Sequence, residues 1–347
     1  MRRTILAIGL LVTITLAAGG CWPWEDRSLP QTPAPTASPP KVEDAGHSSP
    51  SVQGRLLYAR AGNIWLRSGT SAERLTEGIW ATQPCWSPDG RQITFVVKEE
   101  GYSDIWIMAA DASNQYAVTA NSAQANPGTF SFAHHSYWAF QPQWIPPSGE
   151  WIGYVSHIQP IRLTTPMSIW LIRPDGTGEY QHLYWGDAHI ESPVWSPDGE
   201  SLAFTLHTVS NGAQLRYLDV NGNRLPLGED VAGIERYDPA WSPDGDWIAY
   251  AARQGGRTDL WLMPSPQNPL YEAEWSPLRL TQRGTARGPA WSPTGRQIAF
   301  VAEENDSFDL WLLNLDLTTG AYPGPAREEK LTNGANVDAT ARPSWAP

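Results

Sequence analysis

The sequence has few cysteines and few positive charges, and this narrows the possible functions. Among 347 residues there are 2 cysteines and 24 lysines and arginines against 36 acidic residues, which gives a formal net charge of −12. Two cysteines without a CxxC pair do not form the usual pattern of a structural zinc site. An acidic chain without a basic tract disfavours nucleic acid, because phosphate recognition needs clustered cations.

The motifs of several enzyme classes are also missing. The chain contains neither the GxSxG elbow of a serine hydrolase nor the HExxH pair of a zinc peptidase. The glycines of Asp175-Gly176-Thr177-Gly178 follow an apolar strand pattern and indicate a hairpin rather than a phosphate-binding loop. The sequence therefore predicts no cofactor and favours a protein that is not an enzyme.

A repeat dominates the rest of the chain. The motif Trp-Ser-Pro-Asp-Gly or a close variant recurs about every 50 residues, the spacing expected of propeller blades. A sixth copy breaks off at Trp345-Ala346-Pro347. The tryptophans that open the copies are Trp86, Trp144, Trp195, Trp241, Trp291 and Trp345.

Each repeat has the composition of a four-stranded sheet. Ser-Pro-Asp-Gly favours a tight turn between two strands, since proline presets φ and glycine adopts the left-handed conformation. Alternating apolar residues follow, as in Ile248 and Tyr250, and then a third strand such as 259–263. Fourth strands are predicted at 74–76, 279–281 and 330–332. Six such units predict an all-β, six-bladed β-propeller.

The two ends of the repeat region complement each other. Residues 55–76 have the second, third and fourth strand patterns of a blade but no first strand, and 343–346 have the missing first strand. We expect one blade to be shared between the N- and C-terminal segments, which removes open sheet edges. Truncation of the last few residues should then open the ring.

These repeats resemble the WD40-like (PD40) repeats of the TolB family, six-bladed propellers of the bacterial cell envelope. They are also similar to the propeller domain of prolyl oligopeptidase-type peptidases. The resemblance covers residues 53–347 and implies a propeller fold, whereas the motif carries little information on function. The hydrolase domain of the peptidases has no counterpart in this sequence.

The N-terminal residues have the pattern of an export signal. Arg2 and Arg3 precede an apolar run over 4–18, and Ala18-Gly19-Gly20-Cys21 resembles a bacterial lipobox. We predict a signal peptide at 1–20 and lipidation of Cys21, which would anchor the exported protein to a membrane with the propeller outside the cytoplasm, in the periplasm or at the cell surface. Ordinary cleavage near the same place, which would leave a soluble secreted chain, is the alternative. Residues 21–52 are rich in Pro, Ser and Thr and predict a disordered tether. The remaining Cys85 directly precedes a repeat tryptophan and is expected to be a buried structural residue.

Longer and more variable loops cluster on one face of the predicted ring, here called the loop face; the short Ser-Pro-Asp-Gly turns lie on the opposite turn face. Variable loops on a rigid frame often carry binding sites. We expect several candidate residues to surround the central opening, with the residue types of protein interfaces. The candidates are Trp80, His134, His135, Tyr137, Trp138, His157, Trp185, His189, Glu191, Arg236, Tyr237 and Arg287.

The histidines raise an alternative function. His134, His135, His157, His189 and Glu191 could supply metal ligands if their loops converge, as in propeller lyases that act on pectic oligosaccharides. However, adjacent residues on a strand point to opposite sides, so His134 and His135 rarely bind one ion, and we predict no metal site. The favoured function is noncatalytic binding of an envelope protein through the loop face. A carbohydrate-binding propeller or a metal-assisted oligosaccharide lyase is the alternative.

Overall fold

The repeats form six antiparallel sheets in the computed structural model, which describes residues 42–44, 50–121, 137–157, 166–272, 275–316 and 323–346. The described residues contain a short 3-10 helix, Pro269–Glu272, and no helix that is long and apolar enough to cross a membrane. The six-bladed propeller predicted from the sequence is confirmed.

Five blades are built from consecutive strands. Blade 1 contains β5 (Trp80–Trp86), β6 (Gln92–Glu99), β7 (Tyr102–Ala109) and β8 (Tyr116–Ala117), and blade 2 contains β9 (Ala139–Trp144), β10 (Ile152–His157), β11 (Met167–Ile172) and β12 (Tyr180–Leu183). Blade 3 contains β13 (His189–Trp195), β14 (Leu202–Thr208), β15 (Gly212–Leu218) and β16 (Arg224–Pro226), and blade 4 contains β17 (Ile234–Trp241), β18 (Trp247–Gln254), β19 (Arg257–Pro264) and β20 (Leu278–Arg279). Blade 5 contains β21 (Arg287–Trp291), β22 (Gln297–Glu304), β23 (Ser307–Asp316) and β24 (Gly324–Lys330).

The sixth blade closes the ring with both chain segments, as the sequence predicts. Strands β2 (Val52–Arg60), β3 (Asn63–Gly69) and β4 (Ser71–Arg74) are joined by β25 (Ser344–Ala346), which pairs with β2. In this register Arg55 lies opposite Ala346 and Leu57 opposite Ser344. On the outer edge, β1 (Val42–Asp44) pairs with β4, within the range that the sequence assigns to the tether.

The Ser-Pro-Asp-Gly segments form turns held by their own side chains. Ser87 Oγ donates a hydrogen bond of 2.6 Å to Asp89 Oδ1, and the Arg91 backbone N–H donates to the same oxygen. The Ser87 hydroxyl in turn accepts the Gln92 N–H, the first of the next strand. The hydrogen bond from Ser87 lowers the pKa of Asp89. The repeated aspartates of these motifs therefore act as turn residues, as the sequence indicates.

Large apolar side chains fill the spaces between neighbouring blades. Between blades 4 and 5, for example, Trp247 and Leu260 pack in one cluster with Trp291 and Phe300. A repeat tryptophan can also form a hydrogen bond across the gap: the indole N–H of Trp291 donates to the Ala240 carbonyl of the preceding blade at 3.0 Å. Burial of these rings removes much apolar surface from water and fixes the angle between blades.

The outer strand of a blade ends at the residue where the sequence predicts it to begin. Strands β4, β20 and β24 end at Arg74, Arg279 and Lys330, so the boundaries predicted for the fourth strands are wrong. The Leu-Thr pairs that follow turn inward. Thr281 is 1% exposed, and its hydroxyl accepts the Leu260 N–H at 2.9 Å and donates to Asp259 at 3.0 Å. The buried Leu260 N–H gains a hydrogen-bond partner in this way. This hydrogen bond favours the inward turn over a longer outer strand.

Cys85 is buried at the inner edge of blade 1, as expected for a structural residue. It is 8% exposed, and its Sγ lies 3.7 Å from Gln143 Oε1 of blade 2. Burial raises the pKa of the thiol, so the neutral and less reactive form is favoured.

Candidate functional site

The innermost strands carry a bulge at the same position in successive blades. The residue before the repeat proline has a positive φ of 51° to 55° at Gln83, Gln141, Ser192 and Asp238, and 60° at Gly288. The pairing register with the second strand shifts at these positions, for example between Glu191 and Val194. A bulge reorients the strand locally and re-aims side chains. The six equivalent residues, here called the collar, are Gln83, Gln141, Ser192, Asp238, Gly288 and Arg342.

Hydrogen bonds link four of the collar residues across neighbouring blades. Gln83 Oε1 accepts the Gln141 N–H at 2.8 Å, Gln141 Oε1 accepts the Ser192 N–H at 2.6 Å, and Ser192 Oγ donates to Asp238 Oδ1 at 2.8 Å. Together with Arg342 they surround a cavity of about 30 Å³, room for a single water molecule. The collar therefore leaves a space of only this size between the innermost strands.

Above the collar, on the loop face, the channel widens into a depression of about 520 Å³ that we call the mouth. The side chains that line it come from several blades, so the mouth is a feature of the assembled ring. They include Gln141, Glu191, Ser192, His207, Glu235, Tyr237, Asp238, Arg253, Thr258, Thr285, Arg287, Thr340 and Arg342.

Several polar side chains of the mouth are paired with one another. His207 Nε2 lies 3.2 Å from Glu191 Oε2, and Arg253 Nη1 lies 3.4 Å from Glu235 Oε2. The hydrogen bond with Glu191 raises the pKa of His207 and lowers that of Glu191. The Tyr237 hydroxyl is 2.9 Å from Thr258 Oγ1, and burial raises the pKa of this tyrosine. These pairs hold the wall of the mouth in a defined shape.

The structure brings three of the sequence candidates together in the mouth: Glu191, Tyr237 and Arg287. His189 lies nearby at the start of β13, where it is exposed and its Nδ1 accepts the Met167 N–H at 3.2 Å. His157 ends β10 and is half-buried, with a pKa lowered by burial and by His189.

The other described candidates lie elsewhere. Trp80 is 61% exposed but borders a different depression, beside Gly62 and Lys98. Tyr137 pairs with Tyr102 at the backbone, and Trp138 stacks on Phe140 with ring centres 5.7 Å apart.

Two candidates pack inside the blades, and two lie outside the described residues. Arg236 is 7% exposed and donates to the Glu229 carbonyl, while Trp185 packs edge-on against Phe204. Neighbouring strand residues point to opposite sides, which explains why Tyr237 faces the mouth and Arg236 does not. His134 and His135 fall in a part of the chain that the structure does not describe.

The sequence candidates omit His207, Arg253 and Arg342, which also line the mouth. His207 and Arg253 belong to second strands, whose alternating apolar pattern predicts a half-buried strand and no site residue. Arg342 belongs to the broken sixth repeat, where it occupies the collar position directly before the proline. Alignment of Arg342-Pro343 with Asp238-Pro239 and its sister copies could have identified it.

No group of three or more His, Cys, Asp or Glu residues is arranged to hold a metal ion within the ranges described above. Cys21, which the sequence predicts to be lipidated, and the histidines at 134 and 135 lie outside the described residues.

Solved structures with a similar fold include TolB proteins. The crystal structure of TolB from Acinetobacter baumannii superposes with a TM-score of 0.62 at 16% identity, over 85% of this chain and 67% of that chain. A putative TolB from Agrobacterium tumefaciens gives 0.57 at 16% identity, over 85% and 98%. The chain has the TolB-like propeller fold.

Sequence relatives of this TolB-like propeller are distant. No family model matches the chain. An uncharacterised protein of Agrobacterium fabrum strain C58 is 28% identical over 141 residues, which is 39% of this chain and 43% of that protein. The match thus spans less than half of that relative, and the expectation of a TolB-like repeat fold is confirmed by structure rather than by sequence.

Proposed function

We propose that this TolB-like propeller is a noncatalytic protein of the bacterial cell envelope that binds a partner protein through its mouth. One observation carries the proposal: Glu191, Tyr237 and Arg287, from three successive blades, converge on one depression of about 520 Å³. Arginine and tyrosine are the residue types that most often dominate binding at interfaces, and a rigid concave frame reduces the entropy lost on association.

The proposed location is based on the N-terminal sequence. The apolar run at 4–18, the lipobox-like Ala18-Gly19-Gly20-Cys21 and the Pro-rich segment to residue 52 support export, lipidation and a tether. A tethered propeller could reach partners near the membrane while its loop face stays accessible. The resemblance to TolB-family repeats supports the same location in the cell envelope.

The test begins with capture of the partner from cross-linked envelopes, its identification by mass spectrometry, and purification of both proteins. The affinity is then measured by calorimetry for the wild type and for the double variant Tyr237→Ala/Arg287→Ala. We expect the variant to bind at least about tenfold more weakly, or about 1.4 kcal/mol, because it loses two central contacts.

A matched control uses the turn face. Tyr116 is 39% exposed there, and the Arg91 side chain is 85% exposed. The double variant Tyr116→Ala/Arg91→Ala should bind as the wild type does. Equal affinities of all three proteins, with unchanged melting temperatures, would contradict a role for the mouth.

A glycan is the second candidate ligand, favoured by one observation. Trp80 is 61% exposed and lies over Gly62 beside Arg74 and Lys98, an arrangement on which a sugar ring could stack. A glycan array probed with the wild type and with Trp80→Ala tests this candidate. Selective binding that disappears in Trp80→Ala would support glycan recognition at that second depression.

A further inference from the structure

Two arginines stand side by side in the mouth. Arg287 begins β21, and Arg342 precedes the neighbouring inner strand β25. Gly288 brings the two segments into contact, because a Cβ at this position would lie 3.5 Å from the Cα of Arg342. Both side chains are half-buried and line the same depression.

The two arginines differ from the other charged groups around them. Glu191 is paired with His207, Glu235 with Arg253, and Asp238 accepts the Ser192 hydroxyl. In contrast, Nε of Arg287 and Nε of Arg342 are buried without a hydrogen-bond acceptor in the described part of the chain. Burial lowers the pKa of Arg342, and the charge of Asp238 opposes this effect.

An unpaired donor on a half-buried guanidinium is energetically unfavourable, and a carboxylate is the group that fits it best. The planar fork of arginine matches the two oxygens of a carboxylate, and such charged hydrogen bonds are stronger than neutral ones. Arg287 also has the Phe308 ring 5.7 Å from its guanidinium carbon, which helps to hold the side chain in place.

The surroundings favour a single carboxylate over a densely charged ligand. Glu191, Glu235 and Asp238 line the same mouth, and the whole chain carries a formal charge of −12. A polyphosphate or nucleic acid would bring many negative charges close to these carboxylates. An isolated acidic side chain flanked by apolar residues can instead contact both arginines and the half-buried ring of Tyr237.

We propose that Arg287 and Arg342 form a receptor for one carboxylate, supplied by an acidic side chain of the partner protein. This inference rests on the proposed function and specifies its chemistry. The acidic residue enters the mouth from the loop face and accepts hydrogen bonds from both guanidinium groups. The collar below closes the channel, so the segment binds at the mouth and does not pass through the ring.

The test uses small probes and nuclear magnetic resonance of the folded protein. The ¹⁵N–¹H signals of the two arginine Nε groups are assigned with Arg287→Lys and Arg342→Lys. The probes are a capped pentapeptide with one central glutamate, its glutamine counterpart, and trigalacturonate at equal ionic strength. Both Nε signals should shift saturably with the glutamate peptide, and the glutamine peptide should bind at least tenfold more weakly.

Variants separate the role of charge from that of folding. Arg342→Gln should weaken binding of the glutamate peptide at least tenfold, whereas Arg91→Gln on the turn face should leave it unchanged. If Arg342→Gln does not fold, Arg342→Lys decides instead: it keeps the charge, loses the planar fork and should bind several-fold more weakly than the wild type.

The proposal is overturned if the Nε signals do not respond, if the two peptides bind equally, or if trigalacturonate binds more tightly than the glutamate peptide. Its failure is distinguishable from failure of the proposed function. If the glutamate peptide does not bind, but the affinity for the partner protein still depends on Tyr237, only this inference is wrong. Peptide binding at the arginines with no effect of the mouth variants on the partner would remove the proposed function and the partner as source of the carboxylate, while the arginines would still bind a carboxylate.

Discussion

At the level of single residues, the pairing of His207 with Glu191 predicts a dependence on pH. The folded-state pKa of His207 is raised, so its contribution to stability is present below about pH 6.5 and is lost as the pH rises through the folded pKa. The folded-state pKa of Glu191 is lowered, so its contribution is present above about pH 4.5 and is lost as the pH falls through its folded pKa. The pair therefore stabilises most between these values.

The variant His207→Gln tests this expectation. Thermal melts should show a larger loss of stability at pH 5.5 than at pH 8.5, and the difference should be about 0.5 kcal/mol, since the pair is half-exposed and screened by solvent. The negative charges of Glu235 and Asp238 act on His207 in the same direction as Glu191. An equal loss at both pH values would show that the histidine contributes only by packing.

The positions of some candidate residues could be predicted from the sequence, and those of others could not. Tyr237 and Arg287 could be placed near the opening because they lie a few residues before the repeat tryptophans. Arg236 could not be separated from Tyr237 by that criterion, although strand alternation places them on opposite sides. Which side chains meet across blades depends on the bulge and on the tilt of each strand. Neither is specified by a short motif.

At the level of the elements, a turn glycine can have two roles, a left-handed backbone conformation and a close contact with the neighbouring blade. Gly199 has a φ of +77°, and a Cβ at this position would lie 1.9 Å from the Pro146 carbonyl oxygen of blade 2. Gly222, in another turn of the same blade, has a φ of +79° with nothing within 4 Å. Gly199→Ala should lower the free energy of unfolding by at least about 2 kcal/mol more than Gly222→Ala. The second substitution only places alanine in a left-handed conformation, whereas the first also creates a clash.

Urea unfolding of both variants measures this difference. Similar free energies of unfolding for the two would mean that neighbouring turns move apart easily and that blade contacts on the turn face are weak. The turn itself was predictable, because Ser-Pro-Asp-Gly specifies its conformation locally. The contact with the preceding blade was not, since it depends on how adjacent sheets are angled.

At the level of the whole molecule, stability depends on the shared blade. Deletion of 344–347 removes β25, including the hydrogen bond of 2.7 Å from the Trp345 indole to the Gln53 carbonyl. The edge of β2 would then be unpaired, so we expect a large loss of thermal stability and self-association. Differential scanning calorimetry and analytical ultracentrifugation check both effects.

The control deletion removes residues before 50 and with them β1, which covers only the outer edge of the same blade. It should have a much smaller effect on the melting temperature. Equal effects of the two deletions would contradict the role assigned to ring closure. The sequence predicted this closure because complementary strand patterns stand at the two ends, whereas β1 lies in a Pro-rich segment whose composition gives no strand signal.

The pairing of β25 with β2 also determines an order of events during synthesis of the chain. Strands β2 to β4 are synthesised before the other blades, yet their partner β25 is made only after five complete blades. During that interval the inner edge of β2 is open to incorrect partners, including a second nascent chain. Folding of the propeller should therefore be most vulnerable to such mispairing just before β25 becomes available.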